Sequence, residues 1–185
     1  MTQVFTVLGG LALFIYGVQL MGQGLQKAAG DRMRRILGAL TVSPLTGTLV
    51  GAFVTAIIQS SSATTGVLIV LAQQGLISLE GGIPVIFGAN IGTCVTAALA
   101  GIGASREANR VAIAHIMFKF AGVILFIFWI PQFADLIRAL AGKFGSGTAR
   151  QLANAHTLFN VGLGLFFLPF ILFKEISGST SRKNI

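Results

Sequence analysis

Apolar residues in this chain come in long runs, without the strict alternation of strands or the one-sided spacing of surface helices. The first run, Val4 to Leu25, is interrupted chiefly by glycines, Gln19 and Gln23. A bilayer core of about 30 Å takes roughly 20 apolar residues as helix, so this run predicts a spanning helix. Lys27, Arg32, Arg34 and Arg35 follow it as an interfacial anchor. From Val42 to Leu79 a longer apolar stretch is cut at Gln59-Ser60-Ser61-Ser62. Each half is about 16 residues, short for an upright span and suited to one arm of a hairpin that dips in and returns. Ile83 to Ile102 predicts another span, with a polar inset Gly88-Ala89-Asn90-Ile91-Gly92-Thr93. Val111 to Ile130 predicts a clear span, closed by Trp129 and Pro131. An amphipathic connection, Gln132 to Gln151, leads to a last span, Leu152 to Phe173. Residues 1–176 thus read as one membrane domain and residues 177–185 as a polar, frayed tail.

Composition agrees with this pattern. The 185 residues are 54% hydrophobic and only 10% charged, with a mean hydropathy of +0.85, where globular domains carry about 25% charged residues. The net charge of +8 comes from basic clusters between apolar runs, which is the placement of lipid-interface anchors and not of a nucleic-acid face. Seven basic residues fall on one side of the spans and five on the other, with Lys119 inside one, so charge bias leaves the orientation nearly balanced. Cys94 is the sole cysteine, which rules out an intrachain disulfide and a zinc-type cluster of thiolates. The start, Met1-Thr2-Gln3-Val4-Phe5, lacks the basic region of a signal peptide, so the first run is read as a retained helix.

Two internal echoes stand out. Residues Ala108 to Phe118 match Ala149 to Phe159 at a constant offset, sharing Ala114-His115 with Ala155-His156. More loosely, Gly51 to Gln59 resembles Gly88 to Thr96. Weak internal symmetry of this kind marks transporter repeats.

The densest polar cluster is Gln59 to Thr65, with six hydrogen-bonding side chains in seven positions. Unpaired polar groups cost several kcal/mol in hydrocarbon, so this cluster needs partners. A backbone break there would leave free N–H groups at the start of the helix from Ala63 onward, which attract anions. The helix ending near Ile57 and Ile58 would present free carbonyls, which suit a small hard cation. Hydroxyls and the Gln59 amide add donors and acceptors matched to a tetrahedral oxyanion with a cation. A Ser/Thr-rich kink satisfied by neighbouring helices remains the other reading of the same residues. Asn90, Thr93 and Thr96 repeat the logic with less density.

The paired motifs Gln59-Ser60-Ser61-Ser62-Ala63-Thr64-Thr65 and Gly88-Ala89-Asn90-Ile91-Gly92-Thr93 resemble the type II sodium–phosphate cotransporter family, including its bacterial members. Leu13-Phe14-Ile15-Tyr16-Gly17, Leu20-Met21 and Ala155-His156-Thr157-Leu158-Phe159-Asn160 extend the resemblance over about residues 8–173. It implies an all-α membrane protein, a helical bundle with a re-entrant helical hairpin, forming one repeat of an inverted-repeat transporter fold. It implies sodium-coupled transport of inorganic phosphate across the bacterial inner (cytoplasmic) membrane, with Na⁺ as coupling ion, no other cofactor and no enzymatic activity. Carried over, Gln59, Ser60, Ser61, Ser62, Thr64 and Thr65 would bind phosphate. Gln59 and Ser60, with Asn90 and Thr93, would bind sodium or line its pathway.

The chain departs from the family in holding one Gln-Ser-Ser-Ser motif, in Cys94 where Thr is frequent, and in Lys119 where Asn is frequent. One hairpin does not enclose an ion from both sides. Either the chain is part of a longer transporter, or a homodimer, antiparallel in one form, rebuilds the facing pair. A non-transporting scaffold subunit, or a carrier or exporter of a related oxyanion such as arsenate or sulfate, is the alternative function.

Other polar residues read more plainly. His115 and His156 are expected as helix-end histidines bonded to carbonyls, and Lys119 as a cation one turn into a span that snorkels to the interface. Asp31, Glu80, Glu107, Asp135 and Glu175 all fall near span ends, so carboxylate-based catalysis and proton antiport have no visible machinery. Ser61 lacks a Lys or His in motif context, which argues against a serine hydrolase.

Overall fold

Serine caps mark half of the described helix starts. In the computed structural model, which describes residues 2–28, 43–142 and 145–182, four helices start on a serine whose hydroxyl accepts a backbone N–H of the first turn. Each such cap contributes about 1 kcal/mol. The described helices are α1 (Thr2–Ala28), α2 (Pro44–Ile58), α3 (Ser61–Gln73), α4 (Leu79–Gly92), α5 (Cys94–Gly101), α6 (Arg106–Ile127), α7 (Ile130–Gly142) and α8 (Thr148–Arg182). Arg32, Arg34, Arg35 and Asp31 lie outside the described residues.

Three segments are long and apolar enough to cross a membrane: Leu79–Gly101, Arg106–Ile127 and Thr148–Pro169. Their outer faces carry bare apolar side chains, such as Val111 at 70% and Leu165 at 65% exposure. Water would penalise those faces and lipid would not. The first run forms the single helix α1, whose Phe5 and Leu13 are exposed in the same way. Two boundaries differ from the sequence reading. At the carboxy-terminal end, α8 continues past residue 177 to Arg182. The Ile83–Ile102 span is two helices, α4 and α5, pivoting at Thr93 without leaving right-handed helical geometry.

The core sits where α4 meets α6, α7 and α8. Phe87 and Phe159 are fully buried, their ring centroids 4.6 Å apart. Phe126 stands edge-on to Phe159 at 5.3 Å, and Phe133 from α7 closes the cluster 6.0 Å from Phe87. Such aromatic pairs add roughly 0.5–1.5 kcal/mol each beyond their burial. Helix α7 is the amphipathic connection foreseen in the sequence; it buries Ile130, Phe133, Ala134, Ile137 and Ala141. Its Arg138 pairs with Glu80 at the start of α4 and with Asp135 at 2.9 Å.

The tightest helix pair is α2 on α4, and glycine makes it tight. A Cβ on Gly51 would run into the Val85 carbonyl, and one on Gly88 into the Thr48 carbonyl. Gly47 and Gly92 repeat the approach above and below, so Gly-x-x-x-Gly pairs on both helices face each other. Gly47 meets Pro84 while Gly92 meets Ala52 and Thr55, so α2 runs parallel to α4. The half-helix α3 then packs against α8, and α1 leans on α3.

Candidate functional site

The polar cluster breaks the backbone where the sequence suggested it would. Gln59 adopts left-handed geometry (φ 57°, ψ 26°) and is the only described non-glycine residue with positive φ. Its N–H still donates to Thr55 O at 2.6 Å, completing the last turn of α2. Ser60 is extended, and its Oγ accepts from Ala63 N at 3.2 Å, starting α3. The final carbonyls of α2 and the first N–H groups of α3, at Ser61 and Ser62, are therefore left without helical partners at one point. The break therefore presents two ends of opposite sign, partly negative from α2 and partly positive from α3.

The six residues expected at the oxyanion divide into two groups. Gln59 and Ser62 are exposed at the break, and Ser60 and Ser61 are half-buried beside it. Thr64 is buried, and its hydroxyl lies 2.7 Å from that of Thr55, pinning α3 to α2. It also donates to Ser60 O at 3.1 Å. Thr65 is 5% exposed and its Oγ1 has no partner among the described residues. Thr55, fully buried and unremarked in the sequence reading, is the residue that ties this cluster to the second inset, since it abuts Gly92. Its signal was available as a Thr one turn before Gln59 on the glycine-bearing face.

The second inset stays helical. Asn90 is 1% exposed, and its Nδ2 donates to Ile86 O at 3.1 Å. Thr93 Oγ1 donates to Asn90 O at 2.8 Å. The Asn90 Oδ1 instead faces Lys119, whose Nζ donates to it at 2.6 Å and to Asn160 Oδ1 at 2.8 Å. Lys119 therefore does not snorkel. It lies about halfway along Arg106–Ile127 and bridges α4 and α8. Asn90 and Asn160 each sit about 16–18 Å along their helix axes from Leu79 and Thr148, which puts the triad near mid-span. The two histidines are also not at helix ends. His115 is exposed and lines two adjoining clefts, one of about 590 Å³ with Thr93 and Thr96, the other of about 190 Å³ with Lys119 and Asn160. The Nε2 of His156 is buried without a partner among the described residues. No group of three potential metal-ligating His, Cys, Asp or Glu side chains occurs among the described residues.

Apolar membrane-length helices around a broken helix pair and a mid-span polar triad define a helical integral membrane protein with an internal polar site. The chain matches the profile of the Na+/Pi-cotransporter family over residues 13–174 and belongs to that family. That bears out the resemblance read from Gln59 to Thr65. Similar proteins include the uncharacterized protein YqeW of Bacillus subtilis, 42% identical over 77 residues, which are 42% of this chain and 25% of that protein. Sodium-dependent phosphate transport protein 2A of Rattus norvegicus is 36% identical over 94 residues, 49% of this chain and 14% of that one. Sodium-dependent phosphate transport protein 2B of Mus musculus is 34% identical over 141 residues, 71% of this chain and 20% of that one. The chain thus spans a quarter or less of the length of these relatives. No solved structure matches it.

Proposed function

We propose that the chain carries inorganic phosphate across a bacterial inner membrane together with Na⁺, using the break at Gln59–Ser60 as half of the binding site. The observation that carries this reading is the meeting of a helix C-terminus and a helix N-terminus at one serine-rich point. Phosphate would take the Ser61 and Ser62 N–H groups and the hydroxyls of Ser60, Ser61 and Ser62. Sodium would take the carbonyls at the end of α2 and the Gln59 amide, offsetting the phosphate charge.

The parallel register of α2 and α4 supports a re-entrant hairpin. Thr55 lies level with Gly92, about 20 Å along the Leu79–Gly101 span, so the break one turn further on falls inside that span, level with the start of α5, and α3 returns toward the side on which α4 begins. A facing hairpin would come from a second copy of the chain, antiparallel in the form that restores an inverted pair. Loaded hairpins would then rock between the two sides as a unit.

Uptake into liposomes by purified protein tests the reading. Phosphate accumulation should require an inward Na⁺ gradient and fall at least ~10-fold with Ser61→Ala, the loss expected for one charge-assisted bond. An intact, folded dimer that moves no phosphate under any gradient would sink it and leave the scaffold role. Competition by arsenate or sulfate in the same assay reads the oxyanion preference.

A further inference from the structure

Lys119 is a cation at the depth where a bilayer makes charge most expensive, and no described carboxylate pairs with it. Its ammonium is held by two neutral oxygens, Asn90 Oδ1 at 2.6 Å and Asn160 Oδ1 at 2.8 Å. Both amides are oriented independently of Lys119. The Nδ2 of Asn90 is tied to Ile86 O at 3.1 Å, and that of Asn160 to His156 O at 2.8 Å. An amide whose NH₂ is fastened to the carbonyl one turn back directs its oxygen outward. Two carbonyl-type oxygens on two different helices therefore converge on one point by their own bonding. Converging neutral oxygens are the ligands a hard monovalent cation takes. The internal echo adds a second observation: Lys119 and Asn160 occupy equivalent positions, 41 residues apart. One copy supplies an oxygen where the other supplies a charge.

We propose that Asn90 and Asn160 form a monovalent-cation seat, and that the Lys119 ammonium fills it as a tethered cation in place of a mobile one. The seat keeps one positive charge at mid-span without drawing Na⁺ from solution. Removing the ammonium while keeping both amides opens the seat to Na⁺. Water from the cleft of about 190 Å³ that Lys119 and Asn160 line completes the ion's shell. The consequence for coupling rests on the transport reading above: the native cycle carries one Na⁺ fewer than a Lys119→Asn cycle.

Thermal unfolding of the purified full chain in detergent, in NaCl against choline chloride at equal ionic strength, tests the seat. Lys119→Asn and Lys119→Met should each gain a saturable, Na⁺-specific rise in Tm of about 3 °C or more beyond the native response. Lys119→Arg should behave as the native chain, and adding Asn160→Ala to Lys119→Asn should remove the gain. Equal Na⁺ responses in the native chain and both neutral variants would overturn the proposal. Where a neutral variant does not fold in choline, its recovery in NaCl supports the seat, and equal failure in both salts counts against it. The two readings separate cleanly. Absent phosphate uptake by the native chain removes transport and leaves the seat, whereas an absent Na⁺ gain in the variants removes the seat and leaves transport.

Discussion

Gln59 to Thr65 and Gly88 to Thr93 set the same problem, polar side chains inside an apolar run, and the chain answers it in opposite ways. At the first, the helix stops: Gln59 turns left-handed and Ser60 caps a new helix. At the second, the helix continues through Asn90 to Thr93, because side chains bond to the backbone one turn back and the helix bends only at its junction with α5. The first site therefore offers backbone groups to a ligand, and the second offers side chains to neighbouring helices. Polarity in a membrane run demands partners; it does not say whether backbone or side chain will supply the unmet bonds.

Substitutions at the contact between the two insets should have the largest effect. Gly88→Leu places a side chain against the Thr48 carbonyl and should cost about 3 kcal/mol or more, read as loss of monodisperse folded protein. Gly162, which has open space around its Cβ position, should accept Ala with little change in Tm and serves as the control.

The link within the first inset comes next. Thr64→Val leaves the buried Thr55 hydroxyl without its partner and should cost about 1–2 kcal/mol in thermal or denaturant unfolding. The double variant Thr55→Val/Thr64→Val should recover part of that loss, since no unpaired hydroxyl remains.

Gln59→Gly separates backbone from side chain at the break. It should raise stability by up to about 1 kcal/mol, because glycine takes positive φ without strain. The same variant should weaken Na⁺ dependence of phosphate uptake if the Gln59 amide ligates sodium. Unchanged Na⁺ activation would confine the residue to a backbone role. The smallest effect belongs to the second inset. Thr93→Val removes a local bond to Asn90 O at the α4–α5 junction and should shift stability by only about 0.5 kcal/mol.

Much of this was legible along the chain. The cut at Gln59-Ser60 could be placed because its dense polar side chains interrupt an apolar run; that Ser43, Ser60, Ser78 and Ser105 each cap a helix is seen in the structure. Three of the expected spans, at Leu79–Gly101, Arg106–Ile127 and Thr148–Pro169, could be read because their lengths match a bilayer. The glycine seam is visible along the chain too, as Gly47-x-x-x-Gly51 and Gly88-x-x-x-Gly92. Lys119 was misread for a physical reason. A lone cation in a span either reaches the interface or finds acceptors, and its acceptors lie 29 and 41 residues away. The one local hint was its alignment with Asn160 in the internal echo.

Sequence by itself determined the membrane class, the family and the point where the backbone breaks, because each depends on composition or on neighbours within one turn. Tertiary structure alone decided that α2 lies parallel to α4 and that Phe87, Phe126, Phe133 and Phe159 share one core. It also decided that Asn90 and Asn160 aim at the same ammonium. Those facts depend on which helix faces lie together. In hydrocarbon, where no water competes for polar groups, that juxtaposition settles whether a buried charge is a fault or a site.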